Sequence, residues 1–335
     1  MSNFKADVSV ITLHHTGELI YKFITSIKKS RGVIYEIIIV TSDDNLNIAG
    51  CKMIYSKEMP ARKRNIGVLH ASADIIAFFD DDTEIDENCL KRYKQFLDYN
   101  PKVGMVYGKL YKADEPNRLD EAGGFLTSTG FIWSRAGQNI VDNGQYSVAE
   151  PILAGKSASC AIKTEVFNLA GGFDESFGIL GEETDLSWRV WLQNYEVWFL
   201  PRCVGLHYFN TKHKPVKKYY SSERVFRNGP RNYIAMLYKN LGIVNLIKIL
   251  PIHILLWVIT ALMLILTGKC NSGILIFKGI FDNIIGIRKL HRKRKRVQIS
   301  RLTSDREIFI NISKSPKISY YIKRFFRYRI TGLHG

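Results

Sequence analysis

Short apolar runs alternate with stretches of helical periodicity over the first two hundred residues. Continuous runs rich in β-branched residues occupy positions 8–13, 36–41 and 74–79, and helical patterns fall at 21–29 and 64–70. Runs that are apolar at every position, rather than at every second one, are typical of parallel strands covered by helices on both faces. The pattern therefore predicts an α/β fold with a mostly parallel sheet flanked by helices.

Polar side chains cluster directly after these three predicted strands. The clusters lie at residues 12–16, 42–45 and 80–83. In open α/β sheets, ligands bind beyond the carboxyl ends of the strands. The three clusters are therefore expected to meet at one binding site.

Regular periodicity is weak over residues 113–150, where glycine, asparagine, aspartate and serine are frequent. This segment is predicted to be an irregular insertion with short strands. Periodicity returns afterwards and predicts, in order, a strand at 157–163, a short helix from Thr164, a turn at Gly171 and Gly172, a helix at 182–194, and strands at 196–200 and 204–208.

A long apolar run and a basic run follow each other near the C-terminus. The 20 positions 249–268 contain no Lys, Arg, Asp or Glu, and a helix of that length spans about 30 Å, the thickness of a bilayer core. A second apolar stretch at 273–287 is interrupted by Lys278 and Asp282. These two stretches predict either two membrane-spanning helices or a shallow helical hairpin in the membrane. The run 288–296 has seven Lys or Arg in nine positions, which is typical of a segment that faces an anionic cytoplasmic leaflet.

The charge of the chain changes sign at about position 210. The whole chain has a formal net charge of +17, but residues 1–210 carry 22 basic and 27 acidic side chains, whereas residues 211–335 carry 26 basic and 4 acidic ones. A change of this size predicts a domain boundary. The predicted organisation is an α/β domain at 1–210, a basic helical connector at 211–248, an apolar helix or helical hairpin at 249–287, and a basic tail at 288–335.

The cysteines and the N-terminal sequence indicate the cellular compartment of the α/β domain. The five cysteines are widely separated and form no CxxC pair, so a zinc site or a disulfide framework has no support and a reduced, cytosolic setting is favoured. The N-terminus lacks the charged and apolar regions of a signal peptide. The α/β domain is therefore expected on the cytoplasmic side of a membrane with which the C-terminal region associates.

Three consecutive aspartates, Asp80, Asp81 and Asp82, stand at the end of the third predicted strand. Carboxylates in such a position repel one another, and a hard divalent cation with oxygen ligands would offset their charge. The alternative is a solvated loop whose last acid, Asp86, caps the next helix.

Two more groups are candidates for the same site. Glu182, Glu183 and Asp185 begin a predicted helix after a glycine-rich bend, and His207 ends a predicted strand. Acids in the first turn of a helix also stabilise its dipole, and a single histidine at a strand end also serves as a structural hydrogen-bonding group. The order and spacing of these groups together with the aspartates favour a functional site.

Together these motifs resemble the inverting, metal-dependent family 2 glycosyltransferases of the GT-A fold. The resemblance covers residues 7 to about 210 and rests on VSVITLHHTG, EIIIVTSDD, PARKRNIGVLHASADIIAFFDDD, GKSASCAIKTEVFNLAGGFDE, GEETDLSWR and the closing His207. It implies transfer of a sugar from a nucleotide diphosphate donor with the aid of Mg²⁺ or Mn²⁺. The segment RNGPRNYIAMLYKN and the apolar, basic tail are similar to members that glycosylate lipid-linked oligosaccharides, rhamnosyltransferase-like enzymes among them.

The resemblance implies a role for each candidate residue. Asp80 would contact the nucleoside, Asp82 would bind the metal, and His207 would complete or support the metal site. Glu183 matches the general base that takes the proton from the acceptor hydroxyl, and Glu182 is expected to orient the acceptor. The other residues expected to bind the donor are Thr12, Asp43, Asp44, Arg64 and Asp81.

Two positions depart from the family pattern. Thr41 and Ser42 come first after the second strand, where the family often has an acidic residue, and Glu183 stands where many members have Asp. Asp185 and Arg189 have the spacing of an intrahelical ion pair and are assigned a structural role.

The expected partners are a nucleotide diphosphate sugar, a lipid-linked or other glycan acceptor, and the surface of an anionic membrane. UDP-GlcNAc, UDP-Glc, dTDP-rhamnose and GDP-mannose are the alternatives for the donor, and the sequence does not indicate an oligomeric state. The alternative functions are nucleic-acid binding through the basic run and a catalytically inactive partner subunit. Nucleic-acid binding is disfavoured because the basic run adjoins an apolar segment and residues 1–210 are net acidic.

Overall fold

The computed structural model describes residues 5–15, 17–136, 140–209, 224–314 and 316. The beginning of the predicted basic connector and the end of the predicted basic tail lie outside these residues. The described strands are β1 Val8–His14, β2 Tyr35–Thr41, β3 Lys52–Tyr55, β4 Ile75–Asp80, β5 Thr83–Ile85, β6 Val103–Lys112, β7 Glu115–Glu121, β8 Gly124–Leu126, β9 Ile132–Ser134, β10 Glu150–Pro151, β11 Ser159–Lys163 and β12 Glu196–His207.

The described helices fall into two groups along the chain. Five lie among the strands: α1 Leu19–Lys28, α2 Pro60–Leu69, α3 Cys89–Tyr99, α4 Thr164–Leu169 and α5 Glu182–Leu192. Five follow the last strand: α6 Gly229–Asn240, α7 Ile243–Leu266, α8 Cys270–Ile285, α9 Ile287–Ile299 and α10 Asp305–Ile312. A π-helical turn over Arg224–Asn228 leads into α6.

The main sheet confirms the α/β prediction and is mixed rather than mostly parallel. Its strand order is β10-β12-β6-β11-β4-β1-β2-β3, and β1 to β4 form the parallel part. β11 lies antiparallel between β4 and β6, while β12 runs parallel to β6. β11 begins opposite Phe79, near the carboxyl end of β4. The chain therefore enters β11 at the carboxyl end of β4, and β11 has to run antiparallel to β4.

The structure also differs from the prediction at the last strand. Two strands were predicted at 196–200 and 204–208, but Glu196–His207 is a single strand with a register shift between Leu200 and Val204. Both halves pair with the long strand β6. The shared partner keeps the strand continuous, and the residues between the halves form a bulge that bends it.

The hydrophobic core lies on both faces of the sheet and continues beyond position 210. One cluster contains the inward faces of α1 and α3, and a larger one contains those of α4 and α5. The larger cluster also includes Met236 and Leu237 of α6, Leu246 and Ile249 of α7, and Ile308 of α10. The change in charge at position 210 therefore does not coincide with an interruption of the core.

Helices α7 and α8 form a hairpin whose turn contains Gly268 at φ +83°. Trp257, Ala261 and Leu264 of α7 pack against Leu275 and Ile276 of α8. By length and composition, α7 is the one helix among the described residues that could cross a membrane by itself. Helices α8 and α9 would reach that length only as a pair, and they are bent by 68° where they meet.

Candidate active site

A cleft opens at the carboxyl edge of the parallel strands, as the polar clusters predict. We call it the first cleft; its volume is about 160 Å³. Its lining comes from the ends of β1 and β4, from α2, from the start of α5 and from the end of β12. The lining residues used below are His15, Lys63, Arg64, Asp80, Asp81, Asp82, Lys156, Leu180, Glu182, Glu183 and His207.

Strand pairing brings the aspartates and His207 together. The short strand β5 follows Asp82 directly and pairs antiparallel with β12, which sets Thr83 opposite His207. His207 Nε2 lies 3.3 Å from Asp82 Oδ1 and 3.9 Å from Asp80 Oδ2. The ligand atoms of all three residues lie within 4.8 Å of one another. Two carboxylates and one imidazole in this arrangement fit a divalent cation such as Mn²⁺ or Mg²⁺.

The other nitrogen of His207 is held by a residue that sequence reasoning missed. Nδ1 of His207 lies 2.8 Å from Oδ2 of Asp120, the next-to-last residue of β7. Asp120 also accepts a 2.7 Å hydrogen bond from Lys156 Nζ. Although burial opposes ionisation, the charges of Lys156 and His207 hold the pKa of Asp120 well below its usual range. An ionised Asp120 fixes the ring so that Nε2 faces Asp80 and Asp82, the usual role of an outer carboxylate beside a metal-binding histidine.

We expect Asp120→Asn to weaken Mn²⁺ binding about tenfold to a hundredfold, because His207 loses the partner that fixes its orientation. Mn²⁺ affinity measured by titration calorimetry checks this. The control is Asp142→Asn, since Asp142 forms another buried ion pair, with Lys109, lies in the same insertion and does not line the first cleft. Equal losses in the two variants would show that Asp120 acts only on stability.

Arg64 joins the aspartates to the start of α5. Its Nη1 donates a 3.0 Å hydrogen bond to Glu182 Oε1, and its Nη2 lies 3.4 Å from Asp80 Oδ1. Helix α2 approaches the sheet closely enough for this contact because Gly67 faces β1. A Cβ atom at Gly67 would lie 2.6 Å from Ile11 Cγ2. Arg64 therefore orients Glu182 as well as lining the cleft.

Glu183, which follows Glu182 in the sequence, is half-buried and lines the cleft. Burial, followed by the charge of Glu182, raises the pKa of Glu183 to about 8. A carboxyl group with a pKa near neutrality is suited to accept and release a proton.

The bend before α5 is held by α6. Leu180 and Gly181 both have positive φ, at 76° and 85°, a conformation that costs energy for leucine. The Asn232 side-chain nitrogen lies within 3.0 Å of the backbone oxygens of Phe177, Ile179 and Leu180. These contacts fix the backbone that presents Glu182 and Glu183 to the cleft.

Asp185 is buried and structural, as predicted. Its Oδ2 accepts hydrogen bonds from Arg189 at 2.8 Å and from Lys239 of α6 at 2.8 Å. Its Oδ1 accepts one from Asn240 at 2.9 Å. The intrahelical pair with Arg189 is confirmed, and the same carboxylate also ties α5 to α6.

In the part of the chain that the structure describes, three of the predicted donor-binding residues do not line the first cleft. Thr12 is buried within β1, and its hydroxyl makes no hydrogen bond to the described residues. Asp43 and Asp44 are exposed in the loop after β2, where Asp43 Oδ1 accepts a hydrogen bond from the Asn45 backbone. Asp81 does line the cleft, and its Oδ2 accepts a hydrogen bond from the His15 backbone N–H.

Two lysines of the cleft were not anticipated. Lys63 lies in the basic motif before the third strand, but sequence reasoning selected its neighbour Arg64. Its Nζ donates a 2.6 Å hydrogen bond to Ser42 Oγ, and burial lowers the pKa of Lys63. Lys156 precedes β11 in the motif GKSASCAIKTEVFNLAGGFDE, none of whose residues was selected as a candidate. Both place positive charge where an anionic ligand would enter.

Comparisons with known proteins concern the sequence of the first domain and the fold. Residues 9–149 match the sequence model described as glycosyl transferase family 2. A search of curated protein sequences finds no match.

Two solved structures resemble the fold. GalNAc-T7, solved with UDP, GalNAc and Mn²⁺, has a TM-score of 0.55 at 13% identity over 71% of this chain and 48% of that chain. S. aureus TarS 1-349, solved with UDP-GlcNAc, has a TM-score of 0.50 at 15% identity over 73% of this chain and 70% of that chain. The match thus spans about half the length of the first structure. The α/β architecture is thus similar to that of these two structures, and residues 9–149 match glycosyl transferase family 2.

Proposed function

We propose that the protein is an inverting, metal-dependent glycosyltransferase that moves one sugar from a nucleotide diphosphate sugar to a hydroxyl group of a lipid-linked or other glycan acceptor. The observation that supports this most strongly is the convergence of two groups on the first cleft of a family 2 domain. Asp80, Asp82 and His207 offer a cation site there. Glu183, with its raised pKa, lies in the same cleft.

The donor diphosphate belongs in the first cleft. Lys63 and Lys156 line it and can face the phosphate oxygens. Asp80 and Asp82 would hold Mn²⁺ or Mg²⁺ with His207, and the bound cation offsets the negative charge that develops on the leaving diphosphate. The two similar structures were solved with UDP or UDP-GlcNAc, which is consistent with a nucleotide donor.

Glu183 acts as the general base in this proposal. The acceptor oxygen attacks the anomeric carbon from the face opposite the diphosphate, so the configuration at that carbon inverts. Glu183 accepts the hydroxyl proton, and the electron pair of the breaking bond leaves with the diphosphate. Arg64 holds Glu182 beside Glu183, and after burial it is Glu182 that raises the pKa of Glu183 most.

The pH profile of transfer reports on this pair of carboxyl groups. Glu183 has to be deprotonated to act as a base, so kcat/KM for the acceptor should rise with pH, reach half its maximum at about pH 8 and level off above that. Glu182→Gln removes a neighbouring charge that raises the pKa of Glu183. We therefore expect its normalised profile to move to lower pH. A Glu182→Gln profile that coincides with that of the wild type would exclude this coupling.

The C-terminal helices are suited to a membrane surface. The inner face of α7 packs on the protein through Ile249, Trp257 and Leu264, so the helix lies along the domain. Its outer face is exposed and apolar: Ile243, Val244, Ile247, Ile252, Leu255, Ile259, Leu262 and Leu266. Helix α9, which contains the basic run, is close by. We therefore assign α7 and α8 to the interface of an anionic membrane, with the family 2 domain on the cytoplasmic side.

Leu255→Asp combined with Leu262→Asp should lower binding to anionic lipid vesicles at least about tenfold, because each exposed leucine loses its transfer into the apolar boundary. Vesicle flotation measures this, and donor binding should be unchanged. Leu69→Asp on α2 is the control, because Leu69 is 82% exposed on another part of the protein. Unchanged flotation of the double variant would contradict the assignment of this face to the membrane.

The proposed activity is tested by thermal stabilisation with a panel of donors. The detergent-solubilised chain is heated with UDP-GlcNAc, UDP-Glc, dTDP-rhamnose or GDP-mannose, each with and without Mn²⁺. A ligand that binds the folded state selectively raises the melting temperature. We expect a shift that requires both Mn²⁺ and one type of nucleotide sugar. A folded sample that no donor stabilises would contradict the proposal.

A further inference from the structure

A second cleft adjoins the first one at Glu183. Its volume is about 180 Å³, similar to the 160 Å³ of the first cleft, so it has room for a group of comparable size. Lys156, Leu180 and Glu183 line both clefts. Glu183, the proposed base, therefore lies between the two clefts. Two ligands, one in each cleft, would meet at the carboxyl group of Glu183.

Glu121 is the second carboxyl group of this cleft. It ends β7 opposite Leu110 of β6, is 6% exposed, and lines the second cleft. Its Oε1 accepts hydrogen bonds from the backbone N–H groups of Ala122 at 2.9 Å and Gly123 at 2.6 Å. Within the part of the chain that the structure describes, all hydrogen bonds of Glu121 go to Oε1. Oε2 is thus left to accept a hydrogen bond from a ligand, and the two backbone contacts fix the direction in which it does so.

The remaining lining disfavours an anionic ligand. Among the residues that the structure describes there, Lys156 is the one cation, and its Nζ is already bonded to Asp120. Ile132, Leu180 and Met236 add apolar surface. A phosphate would therefore find no positive charge besides Lys156, which is bonded to Asp120 and is assigned to the donor diphosphate in the first cleft. A sugar ring, by contrast, could place its C–H face on the apolar side chains and its hydroxyls toward the carboxyl groups.

We propose that the second cleft binds an uncharged sugar ring of the acceptor, and that Glu121 positions this ring by accepting a hydrogen bond from a hydroxyl group next to the attacking one. The inference rests on the proposed function, because it takes Glu183 as the base. Glu121 takes no part in the bond changes: the attacking hydroxyl gives its proton to Glu183 while its oxygen replaces the diphosphate at the anomeric carbon. The acceptor is thereby specified as a glycan with neighbouring free hydroxyls at the reacting residue.

The test uses octyl glycosides of common hexoses and N-acetylhexosamines as acceptors, with the donor identified by the thermal panel and Mn²⁺. We expect at least one of them to accept sugar from the wild-type chain. Glu121→Gln should raise the KM for that acceptor about tenfold to a hundredfold, the usual effect of losing a hydrogen bond to a charged group, with the donor KM unchanged. Glu115→Gln is the control, because Glu115 is exposed on the same strand and lies outside both clefts.

Deoxy acceptors test the same contact without altering the protein. The octyl glycoside that lacks the hydroxyl next to the new linkage should be a poor acceptor for the wild type, and Glu121→Gln should not make it poorer. Equal acceptor KM values for wild type and Glu121→Gln would overturn the inference. So would donor binding without use of any octyl glycoside, or stronger inhibition by octyl phosphate than by the glycosides. Absence of Mn²⁺-dependent donor binding by the wild type would instead overturn the proposed function, and the inference with it.

Discussion

Glu183→Gln is expected to lower sugar transfer about a hundredfold to ten-thousandfold, because the acceptor hydroxyl loses the group that takes its proton. Gln has nearly the same shape, so the variant should keep both clefts. Mn²⁺-dependent thermal stabilisation by the donor should therefore remain. Initial rates of transfer from a radiolabelled donor, measured beside the thermal shift, separate the chemical step from binding.

The control for this variant is Glu165→Gln. Glu165 stands in the first turn of α4, as Glu183 does in α5, but is exposed and lines neither cleft. If Glu183 only stabilised its helix dipole, the two substitutions would have similar small effects on stability and none on transfer. Full activity in Glu183→Gln would remove it from the reaction.

Asp82→Asn is expected to lower both Mn²⁺ affinity and transfer more than about a hundredfold, since a ligand should contribute more than the outer residue Asp120. Asp82 is 2% exposed, and Oδ1 lies 3.3 Å from His207 Nε2. The amide keeps the size of the side chain and removes the charge that attracts the cation. The thermal shift with donor should then no longer depend on Mn²⁺.

Asp114→Asn is the control for this loss. Asp114 is exposed in the turn between β6 and β7 and lines neither cleft. Its replacement should therefore leave Mn²⁺ affinity and sugar transfer at wild-type levels. A variant Asp82→Asn with unchanged Mn²⁺ affinity would show that the cation is bound elsewhere.

The sequence predicted those parts of the site that sit in local patterns. Apolar runs located β1, β2 and β4, and the aspartates after the third run marked the edge where the cleft lies. The glycine-rich bend and the helix start marked Glu182, Glu183 and Asp185 as a group, and the resemblance to the family's general base singled out Glu183. His207 was singled out by its order relative to these groups, and the pairing of β5 with β12 explains why it lies beside Asp82.

Other parts depend on contacts between distant segments and gave no local signal. Asp120 and Glu121 end a strand in the insertion that was predicted to be irregular with short strands, and they reach the site through the pairing of β7 with β6. Lys156 reaches it because β11 enters the sheet from the carboxyl edge of β4. No spacing rule along the chain connects these positions with Asp82 or Glu183.

The change in charge along the chain describes its composition, but it gives no information on which helices pack together. The boundary predicted at position 210 follows from the excess of basic residues after it. Helix α6 lies beyond that position, yet Asn232 holds the bend before α5 and Lys239 binds Asp185. Such buried contacts involve few residues, so they have little influence on the charge of a long segment.

The central claim is that Asp80, Asp82 and His207 bind a divalent cation where the donor diphosphate lies. The most direct measurement is Mn²⁺ binding in the presence of the nucleoside diphosphate of the donor that the thermal panel identifies, followed by the electron paramagnetic resonance signal of free Mn²⁺. We predict one Mn²⁺ bound per chain in the wild type and in Glu183→Gln, and none in Asp82→Asn at the same concentrations. Stoichiometric binding by Asp82→Asn, or its absence in the wild type, would contradict the account.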